Sequence, residues 1–369
     1  MYPPHTSPPS APDPMPFRRL LPLLALLGAA APLAGQGPTP RPTGGERFFY
    51  YVDTESSWRS FEAHADRIDV VGPQSLTVDS LGIVFGTLDA RLLEVARAKR
   101  IRVMPLLVNE GFQQPGLRRL LADTVAQGRA IRSLVALCRT HDLWGIQFDI
   151  ENINVQDRDR FTAFYRRAAD ALHADGRLLS IAIVARWSDD EHATSYHRFM
   201  MDSWRGGFDL AAIAAAGDFV SIMTYDQHTR RTPPGPVAGL PWMRRMVEYT
   251  LRFVPPEKLS LGIPLYGRHW YAQSDATTPA RASVGFAQAS WAWGSHLAAR
   301  AGAPIQWDAA EGTAWARLSV GGTWEWLFLE DVRAFEAKLA LMREYRLRGF
   351  SAWVLGPEDA RIWRGLAPR

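Results

Sequence analysis

From residue 47 onward, short runs of apolar and β-branched residues alternate with segments whose apolar positions recur every three or four residues. The runs predict strands at Phe48–Val52, Ile68–Val71, Ile101–Val108, Gly145–Ile150, Leu179–Val184, Phe219–Thr224, Leu259–Pro264 and Gly349–Val354. Several are apolar almost throughout, the pattern of strands buried on both faces. Between them lie amphipathic helix patterns. The clearest follows Glu151, where Phe161, Phe164, Tyr165, Ala168 and Leu172 share one face and Asp175-Gly176 supplies a stop. Eight strands alternating with helices predict a (β/α)₈ barrel rather than a doubly wound sheet. The chain contains no Gly-x-Gly-x-x-Gly or phosphate-loop pattern that would favour the open sheet.

The rhythm breaks at about residues 269–330, between the seventh and eighth strands. Trp307, Trp315, Trp324 and Trp326 punctuate strand-like pieces there. Two readings stand level: a small, partly β insertion over the barrel mouth, or a long loop around an aromatic cluster. The N-terminus reads differently again. Arg18 and Arg19 precede the apolar run Leu20–Leu27 and the small-residue stretch ending at Gly35, which is the anatomy of a signal peptide over residues 1–35. Met15 is an alternative start. Residues 36–45 are rich in Pro, Gly and Thr and read as a linker, leaving a barrel over 46–369. The expectation is an exported protein, secreted or periplasmic, with no membrane anchor in its mature form.

Composition narrows the class. The chain is 47% hydrophobic and 22% charged, as suits a large packed core. The net charge of +4 is carried almost wholly by arginines spread along the sequence. No basic run points to nucleic acid, although a mildly basic surface suits an anionic polymer such as a bacterial wall. The single cysteine, Cys138, lies in an apolar helical run, so it forms no internal disulfide and reads as a buried, inert thiol.

The chemistry concentrates at predicted strand ends. Strand four, Trp144-Gly145-Ile146-Gln147-Phe148-Asp149-Ile150-Glu151, ends in two carboxylates at i and i+2, which project to the same side. Paired acids at the C-terminal end of a barrel strand suit acid-catalysed glycoside cleavage. The bland alternatives are two solvated acids or half a metal site. Strand six ends in Met223-Thr224-Tyr225-Asp226, strand seven in Gly262-Ile263-Pro264-Leu265-Tyr266-Gly267-Arg268, and strand eight carries Trp353. Asp-x-Glu, Met-x-Tyr-Asp, Gly-Ile-Pro-Leu-Tyr-Gly-Arg and the closing Trp, in this order, resemble the family-18 glycoside hydrolases. That family includes chitinases, endo-N-acetylglucosaminidases and a bacterial branch acting on spore-cortex peptidoglycan. The wording Phe-Asp-Ile-Glu-Asn and Trp-Val-Leu-Gly-Pro-Glu-Asp is most similar to the last branch.

The resemblance implies a retaining, substrate-assisted mechanism on a β-linked, N-acetylglucosamine-containing polysaccharide of the peptidoglycan or chitin type, needing no metal or other cofactor. Glu151 would be the acid/base, Asp149 would hold the acetamido N–H, and Tyr225 would hold its oxygen. Trp353 would floor the sugar, and Asp226, Tyr266 and Arg268 would be further polar contacts. Asp226 and Arg268 also read as a structural ion pair at the rim. Of Tyr50 and Tyr51, which alternate in facing, Tyr51 is taken as the lining residue, with Asn109 at the end of strand three. His192 and His197 read as surface residues.

One departure stands out. The family's strand-four signature has an Asp two residues before Asp149; here Gln147 occupies it. Gln147 is expected to line the substrate site and to donate its amide to Asp149, keeping that carboxylate ionised to low pH and so raising the pKa of Glu151. A barrel that binds glycans without cleaving them is the competing function, and a metal-dependent barrel enzyme the third. The presence of Glu151 favours the enzyme. The metal reading lacks a third ligand.

Overall fold

Eight parallel strands close on themselves around one axis. The computed structural model describes residues 44–190, 193–273 and 283–369; the predicted signal peptide and almost all of the linker fall outside them, as does His192. In chain order the barrel strands are Glu46–Tyr51, Val70–Val78, a third strand broken into Arg102–Val103 and Leu106–Asn109, then Gly145–Asp149, Leu178–Val184, Phe219–Met223, Leu259–Pro264 and Gly349–Trp353. Each pairs in parallel with its neighbours, and the first pairs with both the second and the eighth, Phe48 lying opposite Val70 and Ser351. The eight strands predicted from apolar runs are these eight. A short antiparallel strand, Val84–Gly86, extends the second and was not foreseen.

Two apolar layers hold the barrel. Outward-facing residues such as Phe49, Val71, Ile146 and Phe148 pack against the surrounding helices. Inward-facing Phe48, Tyr50, Val70, Met104, Leu106 and Phe219 fill the interior. The helix predicted after Glu151 spans Arg158–Ala174 and buries Phe161, Phe164, Tyr165, Ala168 and Leu172. Each large side chain on that face contributes about 1.5–3 kcal/mol of burial. Gly176, at φ 69°, ends it as the stop signal predicts. Close strand approach explains Gly145: a Cβ there would lie 2.1 Å from the Leu178 carbonyl oxygen. Cys138 is buried, and burial pushes its thiol up to about 12, so it is inert near neutrality.

The break in rhythm is an insertion with its own architecture. Gly267–Gln273, Ser283–Ala289, Gln306–Asp308, Thr313–Val320 and Thr323–Leu329 form an antiparallel five-stranded sheet, and Trp291–Arg300 is a helix. Ala298, Ala314, Ala316, Leu318, Leu327 and Leu329 give it a separate small core. Of the two readings left level by the sequence, the β insertion is the one observed. It begins two residues earlier than predicted, directly after Tyr266. At its seam with the barrel, Lys338 and Glu330 form a buried ion pair, with Nζ 2.6 Å from Oε2.

Candidate active site

Strand four delivers its side chains to the interior in strict alternation. Gln147, Asp149 and Glu151 therefore share one row, rising from the barrel interior to the mouth. Gln147 is fully buried and accepts a hydrogen bond from the Tyr50 hydroxyl at 2.7 Å. Its amide donates to Ser180 at 3.0 Å and Ser221 at 3.2 Å. Ser351 then bonds both Ser221 and Ser260 through their hydroxyls. This corrects the expectation for Gln147: its amide is spent inside the barrel, not on Asp149. Nor does it line the sugar site.

Asp149 is 4% exposed and receives a hydrogen bond from Gln74 at 3.4 Å. Burial dominates that contact and raises its carboxyl to about 6. The predicted persistence of its charge to low pH is therefore overturned. Glu151 reaches the cavity floor. Burial first, then the charges of Asp149 and Asp226, push its carboxyl well above the usual range. The shift favours the protonated form, the form from which a general acid works.

Glu151 is fixed through its backbone by Asn109. The Asn109 amide donates to the Glu151 carbonyl at 3.1 Å, and its oxygen accepts from the Glu151 N–H at 3.0 Å. Asn109 is 2% exposed, so it positions the acid instead of lining the sugar as predicted. The next residue, Asn152, is left-handed at φ 56° and bonds Phe112 and Gln114, tying the loop after strand four to the loop after strand three.

Tyr225 follows strand six and lines the same cavity as Glu151. Gly262 makes room for it: a Cβ there would meet the Tyr225 ring at 3.0 Å. Burial holds the Tyr225 phenol well above its ordinary pKa, so it remains an O–H donor. Asp226, left-handed at φ 59°, accepts from the Tyr266 hydroxyl at 2.7 Å and pairs with Arg268. The two readings of Asp226 and Arg268 merge, since the ion pair itself lines the cavity. Arg268 belongs to the insertion, so its pair with Asp226 brings the insertion to the barrel mouth, and the Phe286 ring, its centre 4.2 Å from the guanidinium, comes with it.

Trp353, half-buried on strand eight, packs 5.2 Å from the Tyr50 ring, above the polar layer. Tyr51 is the misplaced prediction. Its ring packs outward against Phe61, and its hydroxyl donates to Asp89 at 3.0 Å. Tyr50 is the inward member of the pair. The sequence reading also missed Gln74 and the arginines near the mouth. Gln74 sits three residues beyond the predicted end of strand two, which runs on to Val78. His197, by contrast, sits on an exposed helix as expected, with Nδ1 3.0 Å from the Thr194 hydroxyl.

Of these residues, Glu151, Tyr225, Asp226, Arg268 and Phe286 line a cavity of about 740 Å³. It presents a carboxyl pushed well above its usual range, a phenol donor, the Asp226–Arg268 pair and the aromatic rings of Trp204, Trp242 and Phe286, with the Asp149 carboxyl buried beneath Glu151 on the same strand row. Comparison with known proteins points the same way. Residues 48–358 match the family model for glycosyl hydrolases family 18. A cortical fragment-lytic enzyme of Bacillus subtilis is 32% identical over 70% of this chain, which spans 57% of that relative's length. A solved chitinase of Chromobacterium violaceum superposes with a TM-score of 0.76 at 26% identity, covering 88% of this chain and all of that one. The spore cortex-lytic enzyme SleL of Bacillus cereus has the same fold, with a TM-score of 0.78 at 22% identity over 87% of this chain and 73% of its own. The chain belongs to the glycosyl hydrolases family 18.

Proposed function

We propose that this protein is an exported hydrolase of β-linked, N-acetylglucosamine-containing glycans, working with retention through the substrate's own acetamido group. The observation that carries the reading is Glu151: a backbone-clamped acid lining the cavity, its carboxyl pushed well above the usual range by burial and by the charges of Asp149 and Asp226. In the first step Glu151 protonates the glycosidic oxygen while the acetamido carbonyl oxygen attacks the anomeric carbon. The C–O bond to the leaving sugar breaks, and an oxazolinium-type ring forms. Asp149 accepts the acetamido N–H and stabilises the positive charge that develops. Tyr225 donates to the attacking oxygen and holds it in line. In the second step Glu151, now ionised, takes a proton from water as it opens the ring.

The test is Glu151→Gln, which keeps shape and hydrogen bonding but has no acid proton to give. Cleavage of chitooligosaccharides should fall by at least about 10²-fold while oligosaccharide binding persists. Proton NMR of the wild-type digest should show the β anomer first. Wild-type rates in the variant, or an initial α anomer, would overturn the assignment.

A further inference from the structure

The cavity does not end at the acid. From Glu151 and Tyr225 it runs over the ends of strands five and six, past Val184, Met223, Arg205, Arg230 and Arg231. Trp353 is not among its lining residues. If the sugar that is attacked rests on Trp353, then the departing oxygen lies at Glu151, and this arm of the cavity receives the leaving sugar. That assignment rests on the glycosidase reading above.

The arm is cationic. Among its described lining residues only Glu151 and Asp226 carry carboxyl groups, and Asp226 is already paired with Arg268. Arg205 is 7% exposed and packed 4.9 Å from the centre of the Trp187 ring. Arg230 and Arg231 form no ion pair among the described residues. They sit on a braced turn: the Thr229 N–H donates to the Thr232 hydroxyl at 2.9 Å, and the Thr232 N–H donates to the Thr229 carbonyl at 2.9 Å. Arg231 also rests on the Phe199 ring, 4.8 Å from its centre, which restrains the guanidinium. Two exposed guanidiniums at the edge of a sugar-sized cavity, Arg231 restrained on an aromatic ring and Arg230 beside it on the braced turn, suit a planar anion, and a carboxylate matches the fork of a guanidinium.

We propose that Arg230 and Arg231 make the leaving-sugar subsite select a sugar that bears a carboxylate, such as a 3-O-lactyl ether, over the neutral N-acetylglucosamine of a homopolymer. The geometry selects the substrate by charge on the leaving side, while the attacked sugar is common to both polymers. A neutral leaving sugar would not neutralise the cationic arm, which is how discrimination arises.

The experiment compares three substrates that share the scissile bond type: tetraacetylchitotetraose, the tetrasaccharide of alternating N-acetylglucosamine and N-acetylmuramic acid, and the methyl ester of the latter. Wild-type enzyme should favour the free acid over its ester by at least about tenfold in kcat/KM, and the preference should shrink as salt rises. The double variant Arg230→Gln/Arg231→Gln should lose at least about tenfold on the acid and at most about threefold on the ester and the chitotetraose. Equal losses on all three substrates, or no preference for the acid in wild type, would overturn the inference. If wild type cuts chitotetraose and treats acid and ester alike, only this inference fails. If wild type and Glu151→Gln leave all three intact, the glycosidase reading fails and takes the inference with it.

Discussion

Replacing Asn109 should separate the position of the acid from its chemistry. The Asn109 side chain makes two hydrogen bonds to the backbone of Glu151, at 3.1 and 3.0 Å. Asn109→Leu keeps the branched outline, though with bulkier methyl groups, and removes both partners, stranding an N–H and a carbonyl in a site that is 2% exposed. Each lost bond is worth about 1 kcal/mol net, and stranded groups add to that, so a loss of about 2–4 kcal/mol is expected. At roughly 2 °C per kcal/mol for a chain of this size, Tm should fall by about 4–8 °C. The catalytic effect should be larger than the stability effect suggests. A shift of the acid approaching 1 Å costs about 10²-fold, so kcat should drop by about 10- to 100-fold with KM little changed. Asn109→Asp adds a second readout. It keeps the acceptor for the Glu151 N–H but turns an oxygen toward the Glu151 carbonyl and brings in a negative charge. A like charge raises a neighbouring acid's pKa, so the alkaline limb of the pH–rate profile should move upward. Steady-state kinetics and thermal melts on the same preparations supply the test. A kcat within twofold of wild type in Asn109→Leu, alongside a lowered Tm, would show that the strand alone positions Glu151.

The carboxyl pair predicts a pH dependence: kcat/KM should rise as pH passes about 6, where Asp149 ionises, and fall again as Glu151 loses its proton at higher pH. Because Asp149 binds its proton more tightly folded than unfolded, its contribution to stability is present at low pH and is lost as pH rises from the ordinary carboxylate range through about 6; urea melts of Asp149→Asn should lack that share of the decline. Lys338→Met leaves Glu330 buried without its partner and should cost about 3–5 kcal/mol, which adding Glu330→Gln should largely restore; equal melts for the single and double variants would refute the coupling. Export should leave a mature N-terminus between about Ala30 and Gln36, and sequencing of exported protein that begins at Met15 or earlier would contradict it.

The strands were legible because parallel strands buried on both faces are written as runs such as Leu179–Val184 and Leu259–Pro264, which few other structures tolerate. The row Gln147, Asp149, Glu151 was legible because strand parity is a local property. What parity alone does not say is which row faces in. Tyr50 and Tyr51 are equivalent until strand one pairs with strands two and eight, and the closed register turns Tyr50 inward. The partners of Gln147 were out of reach for a related reason. Ser180, Ser221 and Tyr50 lie on three other strands, and only closure brings their side chains to one level. Asn109 was found, but as a lining residue. Its grip on the backbone of a residue on the adjacent strand leaves no mark on composition or periodicity. Arg230 and Arg231 lie in a turn rich in Thr and Pro, where a pair of charges looks like ordinary surface.

The polar layer under the acids bears on how the barrel keeps its stagger. Apolar interior packing is forgiving: a strand that slides by two residues still presents one branched side chain for another. Directional bonds are not forgiving. Tyr50, Gln147, Ser180, Ser221, Ser260 and Ser351 belong to strands one, four, five, six, seven and eight, and they meet only at one relative height. Sliding any of these strands would break at least one of those bonds in a place no solvent reaches. The layer thus works as a set of detents on barrel shear, and Asp149 and Glu151, next above Gln147 on the same row, inherit their alignment from it. Family members that place other residues at position 147 must therefore set the stagger by a different combination across those strands, so these six positions should change together in sequence and not one at a time.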